Sequence, residues 1–315
     1  MFVSVVVPVL NEEENVEPLA EALGSILGRF DAWEILFVDD GSTDASLEKI
    51  RKLASRDARI RYVSFTRNFG HQAALRAGLE KAAGDCVITM DGDFQHPPEL
   101  IPRLVEEYEK GAEIVSTKRL DAGSGAGFGK RASSRFFYSL MNSLGGIHIE
   151  PGTADFRLFS ARAKSIVLSM REHNLFIRGA AAWTGLRTSI VEYVPAARKS
   201  GTSKYSFGKM WAFALDGLTS FSVRPLKITS MAGAVISLFG FIYAIYALAI
   251  RIFTDKAIGG WASLLISVLI IGGIQLISIG ILGEYLGKLF LESKGRPEFI
   301  IKEESGQRLE NEEKR

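Results

Sequence analysis

Residues 85–99 read DCVITMDGDFQHPPE. An apolar run from Cys86 to Met90 delivers two aspartates one residue apart, Asp91 and Asp93, before a glutamine, a histidine and two prolines. An apolar strand without alternation is buried on both faces, which places it inside a parallel sheet. Aspartate is a poor strand residue and costly to bury, so the two carboxylates belong where the strand ends.

The same pattern recurs on either side. Val3 to Val9 is a β-branched run that Pro8 and Asn11 bring to a stop. A helix follows, with Val16, Leu19, Ala20, Leu23 and Leu27 at helical spacing and acids in its first turn. WEILFVDD (33–40) is a second strand, and GSTDASLEKIRKLA (41–54) a helix that Ser42 or Thr43 can cap. IRYVSF (60–65) is a third strand. NFGHQAALRAGLEKAAG (68–84) is a third helix, ending on a glycine that suits a C-cap. Strand and helix alternate, which predicts a doubly wound α/β sheet. Ligands of such sheets bind beyond the carboxyl ends of the strands.

Three strands finish in carboxylates on that edge: Asn11 and Glu12 after the first, Asp39 and Asp40 after the second, Asp91 and Asp93 after the fourth. Crowded acids repel by about 1 kcal/mol per pair at 4 Å even in water. They call for a metal, a ligand rich in NH and OH groups, or both. Asp44 reads as a solvated loop acid or a helix cap. Asp91, Asp93 and the amide oxygen of Gln95 lie at i, i+2, i+4, on one side of an extended segment, and offer a hard cation a partial oxygen shell. Pro97 and Pro98 stiffen the exit, and Gly92 admits a ligand to the backbone. His96, with no second histidine or cysteine nearby, reads as a hydrogen-bonding residue.

The chain has 315 residues and a formal net charge of +2. Residues 228–250 and 261–283 are uncharged apolar runs, each long enough to cross about 30 Å of hydrocarbon. The short link RIFTDKAI (251–258) makes them a hairpin, with both chain ends on one side. Arg224, Lys227, Lys288, Lys294 and Arg296 flank it against Arg251 and Lys256 in the link, which favours cytoplasmic ends. The N-terminal run lacks a basic start and a cleavage site and reads as a strand. A single cysteine, Cys86, permits no internal disulfide and suits the cytosol. Residues 205–227 contain Met210, Trp211, Phe213, Ala214, Leu218 and Phe221 at amphipathic spacing, as helices lying on a bilayer surface would. LDAGSGAGFGKR (120–131) is a glycine-rich loop, either plain surface or a lid. ASSRFFYSLMNSL (132–144) has an apolar face that suits core or bilayer equally. KEESGQRLENEEKR (302–315) is charged and predicts disorder.

Taken in order, VVVPVLNEEENV, FVDDGSTD, RNFGHQAALRAGL and MDGDFQHPPE, then ADFRLFSARA, FIRGAAAWTGLR, RKSGTSKYSFGKM and FALDGLTSFSVRPLKI, resemble glycosyltransferase family 2. The closest likeness is to its polyprenyl-phosphate (bactoprenol) glucosyltransferases, with dolichyl-phosphate mannose synthases more distant, and it covers nearly all of residues 1–300. The resemblance implies a GT-A catalytic domain over 1–204, juxtamembrane helices over 205–227, a transmembrane hairpin over 228–287 and a cytoplasmic tail over 288–315. It implies that Pro8, Leu10, Asn11, Glu12, Asp39 and Asp40, with Asp91 and Gly92, hold the nucleotide sugar. Asp91, Asp93 and Gln95 would hold Mg²⁺ or Mn²⁺ against the diphosphate, with Asp93 counted as catalytic. Arg198 and Lys204 would approach the diphosphate, and Arg119, Arg131 and Arg135 the acceptor phosphate. Asp155 would sit at the reacting centre, as base or as a positioning group.

Gly92 and Phe94 stand where the family often has Ala and Leu. Leu10 stands where mannose synthases often have an aromatic, against a GDP-mannose donor. The expected activity is inverting, metal-dependent transfer of glucose from UDP-glucose to polyprenyl (undecaprenyl) phosphate. The alternatives are another nucleotide sugar (aminoarabinose derivative, N-acetylhexosamine, galactose or mannose), or a non-catalytic scaffold or flippase partner with a nucleotide-binding head. A processive synthase would show a QxxRW motif and more spans, and a paired-aspartate phosphatase a different DxD context; neither is present. Location in the cytoplasmic (inner) membrane, with the catalytic domain and both termini cytoplasmic, is expected. So is a homo-oligomer packed through Gly272, Gly273, Gly280 and Gly283. No nucleic acid is expected as a partner.

Overall fold

The computed structural model of the chain describes residues 1–120, 150, 152–170, 172, 175–194, 223–253 and 260–305. They fall into two compact units. The first holds the described residues before 195 together with 296–305; the second holds 223–253 and 260–295.

In the first unit the order is β1 (Phe2–Val9), α1 (Val16–Leu27), β2 (Ala32–Asp39), α2 (Ser46–Arg56), β3 (Ile60–Phe65), α3 (His71–Lys81) and β4 (Cys86–Thr89). Then come α4 (Ile101–Glu109), β5 (Ile114–Arg119), β6 (Thr153–Ser160), α5 (Ala161–Ser169), α6 (Ile177–Trp183), β7 (Thr188–Tyr193) and, after the second unit, β8 (Ile301–Glu304). One sheet runs β7-β5-β6-β4-β1-β2-β3-β8. Strands β4, β1, β2 and β3 are parallel to one another. Strand β6 enters between β5 and β4 antiparallel to both, and β7 lies parallel to β5. This is the mostly parallel α/β sheet that the alternation predicts.

Alternate residues of each strand face different cores. Val3, Val5, Val7 and Val9 of β1 and Ile35 and Phe37 of β2 pack with the α1 stripe, while Val6, Leu36 and Val38 face α3. Burial on both faces is why these strands read as unbroken apolar runs. The buried positions of α1 are the five that the spacing picks out.

Four local readings are corrected. Pro8 does not stop β1 but pairs with Val38 inside it. It is tolerated because β1 carbonyls alternate sides, Val6 O accepting from the β4 side and Val9 O from the β2 side, so the nitrogen of Pro8 faces β4 where the β1–β4 pairing has ended at Thr89. Ser42 and Thr43 do not cap α2. The N-cap position is Ala45, which offers no side-chain cap, and Asp44 just before it accepts the Ser46 N–H through Oδ1 at 2.9 Å. Gly84 is not the C-cap of α3, which ends at Lys81. Its role is close approach, since a Cβ there would lie 2.7 Å from Ser4 Oγ. The charged tail does not begin in disorder. Lys302 to Glu304 lie within β8, antiparallel to β3, and the remainder from 306 lies outside the described residues. The apolar partners that order it are upstream: Phe299 and Ile301 pack on the α3-side core.

The second unit contains α7 (Arg224–Phe253) and α8 (Trp261–Ser293). Both are long and apolar enough to cross a membrane, over Leu226–Tyr243 and Ile270–Ser293. Large side chains such as Phe239, Phe253 and Leu276 are more than two-thirds exposed, an apolar surface suited to lipid.

Candidate active site

Beyond the carboxyl ends of β1, β3 and β4 lies a cleft of about 280 Å³. Pro8, Val9, Leu10 and Glu12 come to it from the end of β1, Asp40 from β2, Asn68, Gly70, His71 and Ala74 from the start of α3, and Asp91, Gly92 and Asp93 from the end of β4. Seven of the residues singled out from the sequence therefore meet there.

Asp39 and Asn11 do not line it, nor do Gln95, Arg119 and Asp155. Asp39 is 1% exposed. Its Oδ1 accepts Ser42 N–H at 3.1 Å and its Oδ2 accepts Ser64 O–H at 2.7 Å, so it joins β2, β3 and the loop between β2 and α2. Asn11 adopts φ +55° and its Oδ1 accepts the N–H of Thr43 at 2.8 Å. Both shape the rim. Asp40 does double duty: it lines the cleft and accepts N–H groups of Phe69 at 2.7 Å and Gly70 at 3.0 Å. Burial raises its carboxyl above the ordinary value, and those two donors only partly offset this.

Asp91, Asp93 and Gln95 are not in an extended segment. A turn with Phe94 at φ +58° gathers them. Gln95 donates its backbone N–H to Asp93 Oδ1 at 3.0 Å and its amide N–H to Oδ2 at 2.6 Å. The Gln95 oxygen accepts from Arg119 Nη2 at 3.3 Å. Asp91 differs. Among the described residues its Oδ1 is buried without a hydrogen-bond partner, and His71 Nε2 lies 3.5 Å from it. An orphaned carboxylate oxygen carries the desolvation cost of about 1–3 kcal/mol or more. Glu34, at the opposite end of the sheet, shows the contrast: Ser4, Ala83 and Arg61 all donate to it, and its carboxyl stays below the ordinary value despite burial. Glu12 is raised by burial, and by the charges of Asp93, Asp44 and Asp91 against the Asn15 amide. The acids thus crowd one edge, and among the described residues one oxygen there, Asp91 Oδ1, is left without a donor.

His96 is 3% exposed. Its Nδ1 accepts the Asp91 N–H at 3.1 Å and its ring stacks on Phe156 at 5.3 Å. Burial lowers its basicity against the pull of Asp91, Asp93 and Asp155, which keeps it a neutral acceptor. This is the hydrogen-bonding role that the sequence suggests.

Asp155, on β6, is 7% exposed and is held by Arg178 of α6 in a two-point fork, with both N···O distances 2.6 Å. His71 Nε2 is 3.7 Å from Asp155 Oδ2. Burial works to raise the Asp155 carboxyl, but the Arg178 fork and His71 outweigh it and hold it well below the usual carboxylate range. His71 is raised: burial lowers it, and Asp155 and Asp91 more than compensate.

Sequence reasoning missed Asn68, Gly70, His71 and Arg178. The first three lie in RNFGHQAALRAGL, a carboxyl-end loop like the others, but β3 finishes without an acid to draw attention to it. Arg178 has no local signal, since its partner lies 23 residues away. Arg131, Arg135, Arg198, Lys204 and the amphipathic stretch 205–222 lie outside the described residues.

A mostly parallel mixed α/β sheet with an acidic cleft at its carboxyl edge is the arrangement that GT-A glycosyltransferases share. Residues 4–165 match Glycosyl transferase family 2 and residues 224–289 match the GtrB C-terminal hairpin; the chain belongs to glycosyl transferase family 2 and is a glycosyltransferase. It is similar to the prophage bactoprenol glucosyl transferase homolog of Escherichia coli K12, 43% identical over 96% of this chain and 99% of the relative. It is also similar to the bactoprenol glucosyl transferase of Shigella phage SfV, 42% identical over 96% and 99%. The uncharacterized glycosyltransferase YkcC of Bacillus subtilis is 38% identical over 96% and 94%.

Proposed function

We propose that this protein transfers glucose from UDP-glucose to a polyprenyl phosphate in the membrane, with inversion at the anomeric carbon. The observation that carries the reading is that the likeness to bactoprenol glucosyl transferases spans 96% of this chain and 99% of the relative, cleft and hairpin together.

Pro8, Leu10, Glu12 and Asp40 bind the uridine end of the donor, with the carboxylates accepting from the imide N–H and ribose hydroxyls. The donor set suits a hard divalent cation: Asp91 offers an oxygen without a donor, and Asp93 lies beside it. Among the described residues no group of three or more acids, histidines or cysteines is placed to hold a metal ion, so Asp91 and Asp93 would hold it only together with ligands from outside the chain. Such a cation, Mg²⁺ or Mn²⁺, supplies Lewis-acid stabilisation of the departing diphosphate. Gln95 joins only if its amide turns away from Asp93. By the family resemblance Arg198 and Lys204 would approach the diphosphate, and Arg119, Arg131 and Arg135 the acceptor phosphate, for which guanidinium geometry is suited.

A phosphate acceptor is already anionic near neutral pH, so no strong base is required. Asp155 suits that chemistry: fixed by Arg178, it remains ionised and is a poor proton acceptor. Its part is to orient the acceptor and to favour positive charge on the sugar ring.

The hairpin crosses the bilayer twice. Strand β8, which follows α8, lies in the same sheet as β1, so the chain must return to the side it left. The positive flanks favour the cytoplasm for that side. The glycines at 272, 273, 280 and 283 have nothing within 4 Å of a built Cβ and leave room for a second copy, to be checked by the mass of the detergent-solubilised protein.

The deciding experiment offers the protein a panel of labelled nucleotide sugars with polyprenyl phosphate and Mg²⁺ or Mn²⁺. Labelled lipid from UDP-glucose, with the anomeric configuration opposite to the donor's, is expected. No labelled lipid from any donor overturns the reading, preference for another sugar overturns the donor assignment, and retained configuration overturns the single displacement.

A further inference from the structure

The segment that returns from α8 reaches the cleft through a stack of rings. The wall formed by Asn68, Gly70 and His71 is the loop between β3 and α3 together with the first residue of α3. On its inner side Asp40 accepts the Phe69 and Gly70 N–H groups. On its outer side the Phe69 ring stands edge-on to Phe65, with centroids 5.8 Å apart. Phe65 in turn lies flat on Phe299, at 5.0 Å and 13°.

Two more ties bracket the same loop. Thr66, just past β3, donates its N–H to Ile300 O at 3.0 Å. Arg76, on α3, meets Glu298 at 3.1 Å, with both side chains largely buried. Farther along, Arg51 pairs with Glu303 and Lys81 with Glu304. The returning strand is therefore fastened to the start of the loop, to its ring and to the helix that follows it.

We infer that Phe299 is a positioning residue for the nucleotide-sugar cleft, holding the Phe65–Phe69 pair and through it the loop that Asp40 grips. This rests on the donor-binding reading above. Edge-to-face and stacked rings have specific geometry, so a side chain of similar bulk without a ring fills the space but does not fix Phe69.

The test compares the full chain in detergent with its Phe299→Leu and Phe299→Tyr variants. UDP binding with Mg²⁺ is titrated by calorimetry, and KM is measured separately for UDP-glucose and for polyprenyl phosphate. Phe299→Leu is expected to raise the UDP Kd and the UDP-glucose KM by about two- to tenfold, the worth of an aromatic contact. The polyprenyl phosphate KM should stay unchanged, and Phe299→Tyr should restore donor binding. A lower melting temperature with an unchanged UDP Kd, or an equal rise in both KM values, overturns the inference. If Phe299→Leu does not fold, Glu303→Gln loosens the strand with every ring in place. A rise in UDP Kd supports the inference there and no change overturns it. Wild type that binds no UDP sinks the nucleotide reading itself, before any variant is compared.

Discussion

Arg178 grips Asp155 in a two-point fork, Nε to Oδ1 and Nη2 to Oδ2, each at 2.6 Å. The pair joins α6 to β6 beside the cleft and keeps a buried carboxylate charged. Removing one partner of such a pair strands the other charge. Arg178→Met is expected to cost about 3–5 kcal/mol, seen as a large drop in melting temperature. The double variant Arg178→Met/Asp155→Leu should recover much of it. A double variant no more stable than the single one would show that the fork is not what holds α6.

Asp93 lines the cleft, and among the described residues both its oxygens are engaged by Gln95. Asp93→Ala is expected to lower transfer by about 10³-fold or more, roughly 4 kcal/mol of barrier, while the melting temperature without metal stays near that of wild type. Retained turnover would remove the metal assignment.

His71 has a raised basicity because Asp155 and Asp91 face it. A raised folded-state value means that its proton contributes stability. That contribution is complete below the imidazole's ordinary value of about 6.5 and is lost as pH rises through the raised value. In chelator-treated buffer, the melting-temperature gap between wild type and His71→Gln should be widest near pH 6 and should close as pH rises toward 9. A gap independent of pH would mean that packing alone explains it.

Gly78 and Gly92 make opposite predictions. A Cβ on Gly78 would overlap Val6 Cγ1 in the core, so Gly78→Ala should cost about 1–3 kcal/mol by overpacking. A Cβ on Gly92 would rest 3.4 Å from Pro8 O, an ordinary contact. Gly92→Ala should leave stability within about 0.5 kcal/mol. Denaturation midpoints of the two variants settle the comparison.

Topology can be read with thiol reagents. The sole cysteine, Cys86, is buried with its thiol pushed up to about 12, by burial first and by neighbouring acids, so it should not react. In sealed inverted vesicles, Gln307→Cys should label with an impermeant maleimide while Ala257→Cys in the link should not. Equal labelling would contradict a hairpin with both ends cytoplasmic.

The sequence by itself determined the strands, the helices and the acidic edge, because both signals are local. An unbroken apolar run such as Val3–Val9 reports burial on both faces, and the spacing in α1 reports one face of a helix. It also determined the two long apolar helices, whose length and lack of charge need no partner to be read. Tertiary structure alone decided which acids face the cleft. Asp39 and Asp40 are adjacent in sequence, yet the first is consumed by Ser42 and Ser64 while the second lines the site. Only the fold brought Arg178 to Asp155 and His71 to Asp91, since each pairing joins residues on different elements. The charged tail is the plainest case. Its composition predicts disorder, but the edge of β3 and the cations at 51 and 81 supply hydrogen bonds and countercharge, while the Phe65 ring and Arg76 hold Phe299 and Glu298 just before it, and no local pattern in the tail could announce these partners.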